Sequence, residues 1–312
     1  MPLLADSAGV PHLLRLAMEA AMVGCRQITV IWQSESPPPD IAAVAQRPVL
    51  KSRATLTLST SAPGADAIDD RDPVLVIRAD RLFHRDVPRG AVNAWRASER
   101  AEIGKVDGDD FDAALVMSAS DARGLVASAT RSGGWGQALS DAHVRGAIAT
   151  APVPYLGFSA PVRSHAESRR LERTLVWSLR KSADGLAAKA VNRHISLPIS
   201  FLIRRTGIIP NHITIMAFIS ALIGGVVMGT GDGYWVGVLG MALVEWGSII
   251  DGCDGEIARL KYQFSQLGQW MDTLADDFAN VAYISGITLY LNRAGVTWAA
   301  PLGITALACF AA

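Results

Sequence analysis

Residues 212–231 (HITIMAFISALIGGVVMGTG) contain no Asp, Glu, Lys or Arg. A helix of about twenty such residues reaches about 30 Å, the thickness of a bilayer's hydrocarbon core. Three further apolar runs follow, Tyr234–Ile250 (broken only by Glu245), Phe278–Leu291 and Val296–Ala312. A soluble bundle can be equally apolar, but four runs within residues 207–312 point to a membrane domain. Gly224, Gly225, Gly237 and Gly240 suit close helix packing in lipid, and Trp235, Trp246 and Trp298 suit interfacial or packing positions.

The zero net charge of the 312-residue chain hides a division along its length. Residues 1–162 carry 16 basic and 18 acidic groups, residues 163–206 carry 10 and 3, and residues 207–312 carry 3 and 8, for nets of −2, +7 and −5. Arg204 and Arg205 precede the first apolar run, and Arg259 and Lys261 follow the second. The positive-inside rule therefore places the front of the chain and the Asp251–Gly268 region in the cytoplasm. Arg293 is an exception. No basic stretch followed by an apolar one opens the chain, so no signal peptide is expected. Cys25, Cys253 and Cys309 are widely spaced and suggest no metal site, and neither the histidines nor the charge of the front suggest metal or nucleic-acid binding.

The first 162 residues read as an α/β domain. Strand-like runs occur at Ile28–Trp32, Thr55–Ser59, Val74–Ile77 and Ala113–Met117, and the alternation with helical patterns predicts a largely parallel sheet. In the basic collar, Leu171, Leu175 and Leu179 repeat at helical spacing among Arg170, Arg173, Arg180 and Lys181. That pattern predicts an amphipathic helix lying in a membrane interface; a solvent-facing helix of the first domain is the alternative. Asn211, after Pro210, is placed to cap the first span.

Ionised groups beside apolar spans mark function by default. Asp251 and Asp254 are three apart and Asp272 and Asp276 four apart, so each pair shares a helix face. The short Lys261–Gly268 connector predicts antiparallel neighbouring helices whose acidic faces meet. Carboxylates so gathered call for a hard divalent cation, Mg²⁺ or Mn²⁺.

From Asp251 the sequence runs D-G-C-D-G-E-I-A-R, then eight residues, Gly268, three residues, Asp272, three residues and Asp276. This fills every fixed position of D-x2-D-G-x2-A-R-x8-G-x3-D-x3-D, and so resembles the CDP-alcohol phosphatidyltransferase (CDP-alcohol phosphotransferase) family. K-S-A-D-G at 181–185, N-R-H-I-S-L-P-I-S at 192–200 and P-N-H-I-T at 210–214 resemble that family's lead-in and first span. The resemblance implies an all-α polytopic bundle that transfers a phospho-alcohol from a CDP-alcohol donor to a hydroxyl acceptor, lipid or polyol phosphate, releasing CMP. It implies one or two Mg²⁺ or Mn²⁺ ions on Asp251, Asp254, Asp272 and Asp276, with Asp276 also the general base. Gly255, Ala258, Arg259 and Gly268 would hold the CDP moiety, and Lys181, Asn192, Arg193, Asn211 and Thr214 would contact phosphate or headgroup. For Asn211 and Thr214, helix capping is the alternative. The resemblance further implies membrane lipid as surroundings, a homodimer, and about six spans. Four are counted, so the bundle is expected to be truncated at its C-terminus.

M-P-L-L-A-D-S-A-G-V-P-H-L-L, then I-T-V-I-W, resembles the early part of sugar-phosphate nucleotidyltransferases, and V-L-V-I-R-A-D-R-L-F resembles their strand ending in a metal-binding Asp, here Asp80. Their glycine-rich nucleotide loop is absent, so this domain is expected to be degenerate, with a misassigned start of the sequence as the alternative. The fusion is similar to enzymes that make inositol-phosphate phosphodiesters from CDP-inositol. Two other classes stay open: a membrane scaffold or CDP-binding protein of the same fold, and an ion transporter, which leaves the glycine and arginine spacing unexplained.

Overall fold

The computed structural model describes residues 6–32, 41–59, 72–98, 102–105, 114–131, 138, 149–152, 158–162, 164–179 and 192–311. The chain divides into two compact units, Met1–Ser178 and Leu179–Ala312.

The first unit opens with a hairpin of β1 (Asp6–Ser7) and β2 (Val10–Pro11). Its turn places Ala8 and Gly9 at φ 55° and 81°. Helix α1 (His12–Met22) follows, buried from His12 to Ala20. Strand β3 (Gln27–Ile31) pairs in parallel with β4 (Thr55–Ser59), across a crossover holding the short helices α2 (Ala42–Ala45) and α3 (Pro48–Lys51).

A second sheet contains β5 (Val74–Ile77), β7 (Glu102–Lys105), β8 (Ala114–Met117) and β9 (Ala149–Pro152), in the order β5-β8-β7-β9. Strand β6 (Arg81–Phe83) pairs antiparallel with β10 (Ser159–Pro161). The expectation of a largely parallel sheet is corrected here. In this sheet β8 runs antiparallel to both β5 and β7 while β7 runs parallel to β9, so among the described residues the parallel pairs are β7 with β9 here and β3 with β4 before it. The chain between β7 and β8 is too short for the crossover that parallel strands need. Strand β7 (EIGK), with one large apolar residue, has little strand signature of its own.

Helix α4 (Asp86–Ser98) lays Val87, Ala91 and Trp95, successive residues of one face, against Leu16, Phe83, Ala114 and Val116 to form the core. Helix α5 (Ala119–Arg131) follows β8. The basic collar contributes a helix to the first unit. Its first helix, α6 (His165–Trp177), is capped by Ser164, whose hydroxyl accepts from the Glu167 N–H at 3.2 Å. Leu175, Val176 and Leu179 are buried, and so are Ser168 and Glu172. Ser168 meets the Ser7 hydroxyl at 2.7 Å, and Glu172 accepts from the Ala8 N–H at 3.0 Å. The inner side of α6 is thus spent on the first unit's hairpin rather than left for an interface.

The second unit is helical: α7 (Arg193–Ile203), α8 (Pro210–Thr230), α9 (Tyr234–Lys261), α10 (Gln266–Arg293) and α11 (Ala299–Ala311). Helix α8 packs against both α9 and α10, while α9 and α10 touch each other sparingly. They are therefore not the close neighbours that the short connector predicts. Consecutive glycines explain the arrangement. A Cβ on Gly224 would lie 2.6 Å from the Gly240 carbonyl of α9, and one on Gly225 would lie 2.6 Å from the Ala282 carbonyl of α10. Adjacent positions on a helix point about 100° apart, so α8 admits one close neighbour on each side.

Helices α8 and α9 are long and apolar enough to cross a membrane. The third and fourth expected runs are also helical. However, α10 carries Asp272, Asp276 and Asp277, and α11 has only 13 residues. Among the described residues, every exposed large hydrophobic side chain lies between Ile195 and Phe310, in the second unit. Arg293, the exception to the charge rule, closes the end of α8: it donates to the carbonyls of Met228 and Gly231 at 2.6 and 2.8 Å, to that of Gly229, and to Asp232.

Candidate active site

Asp251 and Asp254 stand on one face of α9, and Asp272 comes to them from the second turn of α10. One carboxylate oxygen of each lies within 4.8 Å of the others. Helix α8 supplies the support: the buried Thr214 hydroxyl donates to Asp254 Oδ2. Asp272 Oδ1 is buried with no hydrogen-bond partner among the described residues. A buried carboxylate oxygen left without a donor is costly, and three such groups together repel. A hard divalent cation relieves both, so the donor set fits Mg²⁺ or Mn²⁺. Asp276, one turn beyond Asp272, is exposed and stands outside the group of three.

The glycines of the motif make room for this protein's own side chains. A Cβ on Gly255 would lie 3.1 Å from Arg259 Nη1, so the guanidinium folds back over that turn. A Cβ on Gly268 would lie 2.8 Å from Ser265 Oγ and 2.9 Å from Asn211 Oδ1. Ser265 caps α10, accepting from the Gly268 N–H at 2.9 Å. The space at Gly268 is thus filled by Asn211 and Ser265. Ala258, half-buried, lies on α9 between Gly255 and Arg259.

Asn211 is not the helix cap: Ile209 is, with Pro210 at the first helical position. Thr214 is buried, with its hydroxyl bonded to the Asp254 carboxylate. Asn192 donates to Ser248 Oγ at 3.4 Å. Arg193 pairs with the fully buried Glu256 and reaches the Gly252 carbonyl at 3.4 Å. Lys181 lies outside the described residues. Lys261 donates to the carbonyls of Thr206 and Ile208 at 2.8 and 3.1 Å, which ties the end of α9 to the start of α8.

Sequence reasoning missed Glu256 as a structured group. It sits inside the motif, but its partners Arg193 and Ser196 lie about sixty positions earlier, with no spacing to announce them.

In the first unit, the strand-end Asp80 accepts from Arg78 Nε at 2.9 Å and from Nη2 at 2.7 Å. Burial alone would raise its pKa, but the bidentate guanidinium holds it below the usual carboxylate value. The strand-end carboxylate is thus engaged in an internal ion pair. His12, nearly fully buried and bonded through Nε2 to the Ala79 carbonyl at 3.1 Å, has its pKa lowered by burial to about 4.

Residues 207–311 match the model of the CDP-alcohol phosphatidyltransferase family. Among curated proteins, the chain is similar to three relatives named bifunctional IPC transferase and DIPP synthase. That of Rubrobacter xylanophilus is 35% identical over 137 residues, 44% of this chain and 30% of the relative. That of Archaeoglobus fulgidus is 32% identical over 145 residues, 46% of this chain and 28% of the relative. That of Aquifex aeolicus is 29% identical over 110 residues, 35% and 24% of the two lengths. The chain spans about a quarter to a third of the length of these relatives.

Proposed function

We propose, from the premise that residues 207–311 are a CDP-alcohol phosphatidyltransferase domain, that the protein transfers a phospho-alcohol from a CDP-alcohol to a hydroxyl acceptor and releases CMP. The observation that carries this reading is the meeting of Asp251, Asp254 and Asp272 from two helices, in a motif with every fixed position filled. Mg²⁺ or Mn²⁺ held by these three carboxylates would neutralise the pyrophosphate and the departing CMP. Asp276 takes the proton of the acceptor hydroxyl as its oxygen bonds to the β-phosphorus. The bond from that phosphorus to the CMP oxygen breaks in line, as in other phosphoryl transfers. Arg259, folded over Gly255, supplies charge to the donor's phosphates.

The membrane is the proposed setting. Exposed large apolar side chains that, among the described residues, all lie in the second unit, with α8 and α9 of spanning length, support a multi-pass bundle in lipid, and the arginines and lysine flanking the first two runs support a cytoplasmic site and first unit. A homodimer accords with the family resemblance. The relatives' name joins two activities in one protein. We extend only the phospho-alcohol transfer to this chain, with CDP-inositol as donor and inositol phosphate as acceptor, and with phospholipid synthesis as the alternative. The first unit is read as a nucleotidyltransferase-like domain without activity, in keeping with the Arg78–Asp80 pair.

The test is CMP release by the purified protein in lipid, with Mg²⁺ or Mn²⁺, over a panel of CDP-alcohols and acceptors. Metal-dependent CMP that disappears in Asp272→Asn, with one donor–acceptor pair preferred, is the expected result. No CMP from any pair would overturn the enzyme reading and leave a scaffold or CDP-binding role.

A further inference from the structure

Glu256 is a fully buried carboxylate two residues beyond Asp254, on the side of α9 that faces α7. Its Oε1 accepts from Arg193 Nη1 and, at 2.8 Å, from Ser196 Oγ. The Arg193 side chain is itself only 12% exposed, so this is a buried ion pair. Such pairs are poor sources of net stability, because desolvation offsets the attraction. Retaining one here calls for another account.

The position of Arg193 suggests it. The same Nη1 reaches the Gly252 carbonyl at 3.4 Å, on the turn between Asp251 and Asp254. A guanidinium is a good bidentate partner for a carboxylate. Released from Glu256, it would be drawn to Asp251 and would compete with a divalent cation for the same oxygens.

We infer that Glu256 is a positioning residue: by holding the Arg193 guanidinium on the α7 side of α9, it keeps Asp251 available to metal. The inference rests on the reading of Asp251, Asp254 and Asp272 as a metal site. It adds that a fourth carboxylate serves the site by engaging a competing cation.

The test is Mn²⁺ binding, followed by electron paramagnetic resonance on the full chain in detergent, for wild type, Glu256→Gln, Arg193→Gln and the double variant. Glu256→Gln is expected to weaken Mn²⁺ binding about tenfold or more. The double variant, which removes the competing charge as well, is expected to return to within about threefold of wild type. A purely packing role for Glu256 predicts no such rescue. Wild-type affinity in Glu256→Gln, or a double variant as weak as the single one, overturns the inference. Should Glu256→Gln fail to fold, the charge-neutral double variant carries the test, and loss of Mn²⁺ binding in a folded double variant overturns it. This readout needs no CDP-alcohol, so failure of every donor to yield CMP would strike the proposed reaction and leave the Arg193–Glu256 result standing.

Discussion

The Thr214 hydroxyl on α8 donates to the Asp254 carboxylate on α9, forty positions along the chain. The same oxygen lies 3.4 Å from the Pro210 carbonyl one turn back, the more distant of the two acceptors for its single proton. Two helices thereby fix one carboxylate of the three. Replacing Thr214 with Val keeps the shape and removes the donor, so Mn²⁺ binding should weaken roughly tenfold with the fold intact. Thr214→Ser should keep most of the affinity, and a Val variant that binds as wild type would dismiss the role.

Packing at Gly225 is tight against backbone. A Cβ there would sit 2.6 Å from the Ala282 carbonyl, whereas one on Gly229 would find its nearest neighbour at 3.7 Å. Gly225→Ala should therefore cost about 1–3 kcal/mol through overpacking, read as a lowered unfolding temperature in detergent. Gly229→Ala should be tolerated, and equal effects of the two would refute the assignment.

Arg293 stands 21 positions after Asp272, about 30 Å along α10. Arg293→Ala leaves the last carbonyls of α8 without their donor and should destabilise the protein by about 1–3 kcal/mol. Mn²⁺ binding at the other end of the helix should not change. A drop in metal affinity without a drop in stability would contradict a purely structural role.

His12 gives the first unit a pH dependence. Its folded pKa is lowered from 6.5 to about 4, so the unfolded chain takes up the proton first as pH falls. The stabilisation is complete above the unfolded value, and is lost as pH drops from about 6.5 toward 4, by on the order of 3 kcal/mol. His12→Gln should flatten that part of the stability profile. An unaltered acid limb in the variant would assign the sensitivity elsewhere.

The shared faces of Asp251 with Asp254 and of Asp272 with Asp276 could be read from helical spacing, although α9 and α10 are not the close neighbours that the short connector suggests. The partners of those groups could not. Thr214 and Arg193 reach the site from helices whose placement depends on glycine contacts at Gly224 and Gly225, and periodicity gives no sign of which helix lies between the others. The strands at Val74–Ile77 and Ala114–Met117 could be read from their β-branched and apolar runs. Their antiparallel pairing could not, because it follows from the position of β7, whose Glu-Ile-Gly-Lys sequence hardly reads as a strand. For α6, the leucine repeat revealed an apolar side, yet a repeat cannot say whether lipid or a neighbouring hairpin covers it.

On α8, Thr214, Ala217, Ala221, Gly224 and Met228 are all buried, in steps of three and four. They face α9 in order, Thr214 at Asp254, Ala217 and Ala221 at Gly247, and Gly224 and Met228 at Gly240. The seam therefore works as a ruler as well as a packing surface. One residue inserted between Thr214 and Gly224 would turn everything before it by about 100° relative to everything after it. The glycine contacts and the carboxylate support could not then be satisfied together. Across descendants of this chain, the composition of α8's outer face is free to drift, but the length between those two residues is not.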